Sequence, residues 1–186
     1  MTIDEIYREL AKHMVEGLMV HSKLADYYGF LGFDGYQKCH EYHHLSEDLN
    51  YRKISDYYIH HYNKIIMDSK FNDPNIIPDS WYNYKRSDVS IETKKNSVEN
   101  GIVQWVTWEQ KTKKLYENMY YELIQLGELA SAGMLMEFIK DVDDELAEAE
   151  QEWIEKSTMG YDINDIMMEQ KEMKRKYKKK MKEIEL

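Results

Sequence analysis

Both prolines of this chain, Pro74 and Pro78, fall in one segment, SKFNDPNIIPDSWYNYKRSDVS at 69–90, and residues 1–68 and 91–186 contain none. That distribution constrains the fold more than any motif. A sheet protein needs a turn signal every few residues, whereas long proline-free stretches with apolar residues three and four apart form amphipathic helices. The expected class is all-α.

Within those stretches the breaks are few. Thr2 with Glu5 has capping-box spacing and opens a first helix carrying Ile6, Leu10, Gly17, Val20, Leu24 and Leu31 on one face. Three glycines and an aspartate in 29–35 end it. A second helix is predicted from about Tyr36 to Met67, with Tyr36, Cys39, His43, Ser46, Asn50, Ile54, Tyr57 and His61 on its inner face. Segment 69–90 is too long for a hairpin loop and reads as a crossover in which Ile76, Ile77 and Trp81 pack. A third helix, 91–126, carries Val98, Ile102, Trp105, Glu109, Tyr116 and Leu123. After Gly127 a fourth, to about Lys156, carries Met134, Leu135, Phe138, Val142, Glu145, Ala149 and Trp153. Asp162 caps a last charged helix. Two hairpins joined by one long connection give a four-helix bundle over 1–160, followed by a charged helix or tail at 161–186.

Charge bounds the partners. Residues 171–182 hold eight of the 25 basic residues and one of the 35 acidic, leaving 17 basic against 34 acidic elsewhere. So acidic a body repels nucleic acid, which only the 171–182 tail could touch, and it suits a basic protein partner. The tail itself reads as a solvated, frayed helix. The single cysteine, Cys39, excludes an internal disulfide, suits a reducing cytoplasm, and reads as a core residue. No apolar run approaches the length of a membrane span, and the acidic N-terminus is unlike a secretion signal. Phosphate loops, CxxC pairs and nucleophile elbows are absent from the sequence.

What remains is carboxylates and imidazoles on inner faces. Glu109 lies in mid-stripe between Trp105 and Tyr116, as a metal ligand or as a core acid bonded to a neighbouring Tyr or Lys. Glu41-Tyr42-His43-His44 has E-x-x-H spacing, but Glu41 points away from the inner face. Two antiparallel helices rise equally from a turn near Gly32-Phe33, so the residues level with Glu16 are 47–51, not 41. Glu47 and Asn50 are the pair at that level. His43, one turn before Glu47, either supplies a ligand nitrogen or is a buried histidine bonded to a tyrosine. Sixteen tyrosines read as half-buried rings lining a polar bundle.

The second half resembles the bacterial ferritin and bacterioferritin family. Trp108-Glu109-Gln110 is similar to the H-E-Q region of that family's third helix, and Phe138–Glu145 to the aromatic and acidic stretch of its fourth. Glu16 resembles the first-helix glutamate. The resemblance implies a ferritin-like fold and a dinuclear metal site, with Asp141 and Glu145 at the family's acidic positions. The chain departs from the pattern at Val142, where a ligand is expected, and at Asn50, where the family has His. The implied set is Glu16, Glu47, Glu109, Asp141 and Glu145 with His43 as substitute, mostly oxygen donors that suit iron or manganese over zinc. Oxygen or peroxide chemistry, iron handling and homo-oligomeric assembly are the corresponding expectations. The alternative is a non-enzymatic acidic interaction protein on the same scaffold, such as a phage or mobile-element inhibitor of a basic nucleic-acid-processing protein.

Overall fold

The structure is a computed structural model that describes residues 1–66, 74–83 and 85–184. Among the described residues five helices follow in order, α1 (Ile3–Leu31), α2 (Asp34–Tyr62), α3 (Ile91–Gln125), α4 (Leu129–Thr158) and α5 (Ile163–Ile184), with two short 3-10 turns at Asp79–Asn83 and Arg86–Asp88. Among the described residues no helix is long and apolar enough to cross a membrane.

Local chemistry sets the boundaries. Thr2 and Glu5 form the predicted capping box, the Thr2 hydroxyl accepting from the Glu5 amide at 3.3 Å and the Glu5 carboxylate from the Thr2 amide at 2.8 Å. Gly32, at φ 89°, takes the left-handed conformation that ends α1 and returns the chain within two residues. Phe33 follows with no exposed surface, anchoring the turn in the core. α2 has no capping side chain of its own at Phe33. Instead Gln170 of α5 accepts at Oε1 from the amides of Gly35 (2.8 Å) and Tyr36 (3.1 Å). A second left-handed glycine, Gly127 at φ 77°, makes the α3–α4 hairpin.

α1 packs on α2 and α3 on α4, the two hairpins meet through α1 and α3, and α5 lies along α2. Two apolar clusters fill the interior. One gathers Leu24, Tyr28, Phe33, Tyr36, Ile102 and Trp105. The other gathers Ile6, Leu10, Ile54, Tyr116, Leu135 and Phe138. Between them, at residues 13–21 of α1, 40–47 of α2, 105–112 of α3 and 142–149 of α4, lies a polar layer. It includes His13, Glu16, His21, His40, His43, Glu47, Glu109 and Thr112, all buried.

Four expectations need correction. α2 ends at Tyr62, where Asn63 takes a positive φ of 53°, and Met67 lies outside the described residues, as does the part of the crossover at 69–73. The buried row of α2 also differs. It is Tyr36, Cys39, His40, His43, Glu47, Ile54 and Tyr58, while Ser46, Asn50 and Tyr57 are half-buried and His61 is exposed. α2 lies between α1 and α5, so the arc facing α1 and the bundle axis is not the one a single apolar stripe suggests. At the end of α4 the buried residue is Lys156, not Trp153, which is 44% exposed. The Lys156 ammonium meets Glu152 at 3.4 Å and bonds Glu169 of α5. Nor is the basic tail merely solvated. Ile166, Gln170 and Tyr177 are buried against the bundle, Lys174 pairs with Asp34 at 2.7 Å, and Lys176 with Glu148 at 2.5 Å. In the crossover, Ile76 is buried and Trp81 stacks on Tyr27 with ring centres 5.0 Å apart, as its apolar residues suggest.

Candidate functional site

The polar layer is assembled from all four bundle helices. α2 projects His40, His43 and Glu47 at spacings of three and four, which puts them on one face. α3 supplies Trp105 and Glu109 one turn apart, and the Trp105 indole Nε1 donates to Glu109 Oε1 at 3.1 Å. α4 brings Glu145, whose Oε1 is 3.2 Å from His43 Nδ1. From α1, His21 places Nε2 3.4 Å from Glu109 Oε1, and its Nδ1 faces Nδ1 of His40 at 3.2 Å. Gly17, also on α1, leaves room for Glu47, because a Cβ there would meet Glu47 Oε1 at 2.5 Å. The height of Glu47 thus agrees with the equal-rise argument that set it level with Glu16.

Bonding is incomplete. Glu47 Oε2, His21 Nε2, His40 Nε2, both nitrogens of His43, Trp108 Nε1 and the Tyr116 hydroxyl have no hydrogen-bond partner in good geometry. The His43–Glu145 and His21–Glu109 approaches are ion-pair distances in which the ring N–H vectors do not point at the oxygens. Buried polar groups are otherwise nearly always paired. So many unpaired donors and acceptors at one level mark a place built for something beyond packing.

Electrostatics follow from burial and crowding. Burial, then the neighbouring Glu145, pushes the Glu47 carboxyl up to about 8, with His43 opposing. Glu109 is raised well above the usual carboxylate range by burial, then by Glu145 and Glu47. For His43 burial works downwards, but Glu145 and Cys39 outweigh it and its pKa is raised well above the ordinary value. His21 and His40 are lowered well below theirs, by burial and then by repulsion from His43, and stay neutral. Metal-free, the cluster is a set of neutral acids and neutral imidazoles around one His43–Glu145 ion pair.

Of the six residues singled out in the sequence, His43, Glu47, Glu109 and Glu145 converge. Glu16 is buried one position round α1 and drawn to Lys111 Nζ at 3.5 Å, in a cavity shared with Gln104 and Trp108. The charges acting on Glu47 and Glu109 are Glu145, His43 and, on Glu109, Glu47, rather than Glu16. Asp141 is exposed on the rim of a cleft whose lining includes His43 and Glu145. Glu41 bonds Lys38 at the surface, as its helical phase requires. Nearby, His13 stacks on Trp108 at 4.4 Å and its Nε2 donates to Thr112 Oγ1 at 2.8 Å, the Thr112 hydroxyl hydrogen going to the Trp108 carbonyl.

His21 and His40 were missed by sequence reasoning, which followed apolar stripes. A readable signal exists in the rows His13-Gly17-His21-Leu24 and Tyr36-His40-His43-Glu47, whose steps of three and four share a face. As the side chains stand, among the described residues no three His, Cys, Asp or Glu are arranged to hold a single metal ion.

Comparison with known proteins agrees on the fold. No family model matches the chain, and no curated protein sequence does. Solved archaeal ferritins are similar in structure. A humanized archaeal ferritin is 13% identical with a TM-score of 0.76 over 92% of this chain and 94% of that one. A closed form of the Archaeoglobus fulgidus ferritin, made by site-directed mutagenesis, gives 13% and 0.76 over 94% and 96%. An open-pore ferritin from the same hyperthermophilic archaeon gives 13% and 0.75 over 92% and 94%. At that identity the likeness is one of fold, and the fold of this chain is the ferritin-like four-helix bundle with an additional C-terminal helix.

Proposed function

We propose that this chain is a metal-binding ferritin-like protein whose polar layer holds iron or manganese through Glu47, Glu109, Glu145 and His43. The observation that carries this reading is the burial of Glu47 and Glu109 beside Glu145 and His43 with several of their bonding atoms left unpaired. Buried carboxylates are costly unless neutral, paired or bound to a cation. Here they stand together, where a divalent cation would satisfy several at once.

The residues fit such an ion. Three carboxylates and one imidazole form an oxygen-dominated set that suits iron or manganese. Glu47 Oε2 and His43 Nε2 can turn towards a common centre without breaking a hydrogen bond, since neither makes one. Trp105 Nε1 fixes one oxygen of Glu109, and His21 stands behind the same carboxylate. The Tyr116 hydroxyl is buried beside the three acids, and their negative charge helps to raise its pKa well above the ordinary value, after burial itself. Apolar clusters flank the layer on either side, and a cleft lined by His43 and Glu145 leads to it from the surface. When bound, iron or manganese supplies reactivity with dioxygen or peroxide, or is itself the stored cargo. An acidic interaction protein on this scaffold would account for the exposed acids but gives no reason to bury Glu47 and Glu109 among three imidazoles.

The test is an anaerobic titration of chelator-stripped protein with Mn(II) and Fe(II), read by free-ion measurement and by thermal shift. Wild type is expected to bind and be stabilised, by about 2.7 kcal/mol at a hundredfold excess over Kd. Glu109→Gln and Glu47→Gln should each weaken binding at least tenfold, while the exposed Glu137→Gln should not. Equal binding by wild type and by a Glu47→Gln/Glu109→Gln double variant would overturn the proposal.

A further inference from the structure

The docked position of α5 sorts its eight basic residues into two sets. One set holds the helix to the bundle. Lys174 pairs with Asp34, Lys176 and Lys180 pair with Glu148, and Lys180 also lies over the rings of Tyr42 and Tyr177 at 5.1 and 5.0 Å. The other set, Lys171, Arg175, Lys178 and Lys182, is exposed. Its steps of four, three and four place all four in one arc of about 60°, along about 16 Å of helix. Among the described residues none of the four makes an ion pair, and no acid shares the arc. Glu172 and Glu183 stand on its flank, where Lys179 reaches Glu183 at 3.8 Å.

The surface beside the arc is concave, lined by Lys38 of α2 with Arg175, Lys178, Lys179, Met181 and Lys182 of α5, and holds no acid. Two acids in the same stretch of α2 are already bonded, Asp34 to Lys174 and Glu41 to Lys38. A merely solvated face interleaves both signs, and like charges three and four apart work against a helix. Here cations stand alone, in a chain with 34 acidic and 17 basic residues outside 171–182. The local potential is therefore positive on an otherwise negative body, which selects an anionic partner for this face alone.

The rest of the helix narrows the class of anion. A helix that settles on lipid inserts its apolar side, but Ile163, Ile166, Met173 and Tyr177 are packed on the bundle core. Single-stranded nucleic acid is held by aromatic stacking platforms, and the one aromatic ring of α5, Tyr177, is buried. A rigid row of cations matches a rigid row of phosphates, the backbone of a duplex. We propose that the outer face of α5 docks on the backbone of double-stranded nucleic acid, with Lys171, Arg175, Lys178 and Lys182 each meeting a phosphate. Three of the four are lysines, point charges that suit phosphate rather than the bidentate reading of bases, so the contact is independent of sequence. This surface is separate from the polar layer and does not depend on metal there.

The test is fluorescence anisotropy of a short labelled DNA duplex of mixed sequence, titrated with the full chain at about 50 to 200 mM KCl. Four phosphate contacts predict that the logarithm of the binding constant falls against the logarithm of salt with a slope of about −3.6. Lys178→Gln/Lys182→Gln should halve that slope to about −1.8. Lys114→Gln/Lys140→Gln removes the same charge from exposed positions on α3 and α4 and should leave the slope as in wild type. Circular dichroism of both variants checks that α5 stays helical. A duplex of different sequence should bind equally. No binding at the lowest salt, or the same loss in both double variants, would overturn the proposal. Tighter binding to phosphatidylserine vesicles than to duplex, lost in Lys178→Gln/Lys182→Gln, would assign the face to lipid and overturn it too. Self-association at low salt that the same variant abolishes, without duplex binding, would give the face to a second copy of the chain.

Discussion

At the scale of single residues, the layer is defined by groups held away from their ordinary protonation. Glu47 makes this measurable. Its pKa rises from 4.5 to about 8 on folding, first through burial and then through Glu145. Between those two values the folded chain holds a proton that the unfolded chain has lost, so stability falls as pH rises through that window. The contribution is complete below the unfolded value and gone above the folded one. In metal-free protein, Glu47→Gln should reduce the fall of unfolding free energy between pH 5 and 8, by up to about 1.4 kcal/mol per pH unit. Denaturant melts of both proteins across that range check it, and an unchanged slope would contradict the placement of Glu47. Gly101 offers a second test, of packing alone. A Cβ there would meet the Tyr28 hydroxyl at 2.2 Å and its ring at 2.6 Å, and Tyr28 has no exposed surface. The better helix propensity of alanine, about 1 kcal/mol, cannot offset displacing a wedged ring. Gly101→Ala is therefore expected to destabilise by about 1–3 kcal/mol in thermal melts, where a stabilised variant would refute the contact.

At the scale of elements, α5 shows what a charged helix can do when it is docked. Its one fully buried ring, Tyr177, lies against Tyr42 with ring centres 5.7 Å apart and donates to Glu148. Gln170 caps α2 from outside, and Gly35 allows it, since a Cβ there would meet the Gln170 backbone carbonyl at 2.8 Å. Gln170→Ala leaves two amides of the first turn of α2 without an acceptor, a loss of about 1–2 kcal/mol. Amide exchange should rise in α5 and at the start of α2 while α3 and α4 stay protected, and uniform protection would contradict the cap. The element scale is also where the sequence was most and least legible. Helix existence followed from the absence of proline, and the α1–α2 register from equal rise, because both are backbone properties. The docking of α5 was passed over although Ile163, Ile166, Met173 and Tyr177 share a face and pack on the core, because the lysine-to-glutamate pairs and the glutamine cap that also hold it read as a solvated run. Lys156 in place of Trp153 is the same lesson: a paired charge took the inner position and left an indole outside.

For the whole molecule, two apolar clusters with a polar layer between them make one bundle with an unsatisfied middle. Glu109 was readable because it interrupts an otherwise apolar stripe, and Glu47 and His43 because hairpin geometry set their height. His21 and His40 were not, since a histidine in a mixed row carries no apolar signal. Glu16 and Asp141, carried over by resemblance, lie at the margins of the layer, where Lys111 and solvent meet them. Metal binding would link α2, α3 and α4 through some of their least satisfied residues, raising Tm and slowing exchange in those three helices together. The most direct measurement is an anomalous-difference map from crystals grown with Mn(II). The account predicts a peak within bonding distance of Glu47, Glu109, Glu145 and His43, with Glu47 and His43 turned towards it. A map without a peak in the layer, with Glu145 still set against His43 and Glu47 still unpaired, would contradict it.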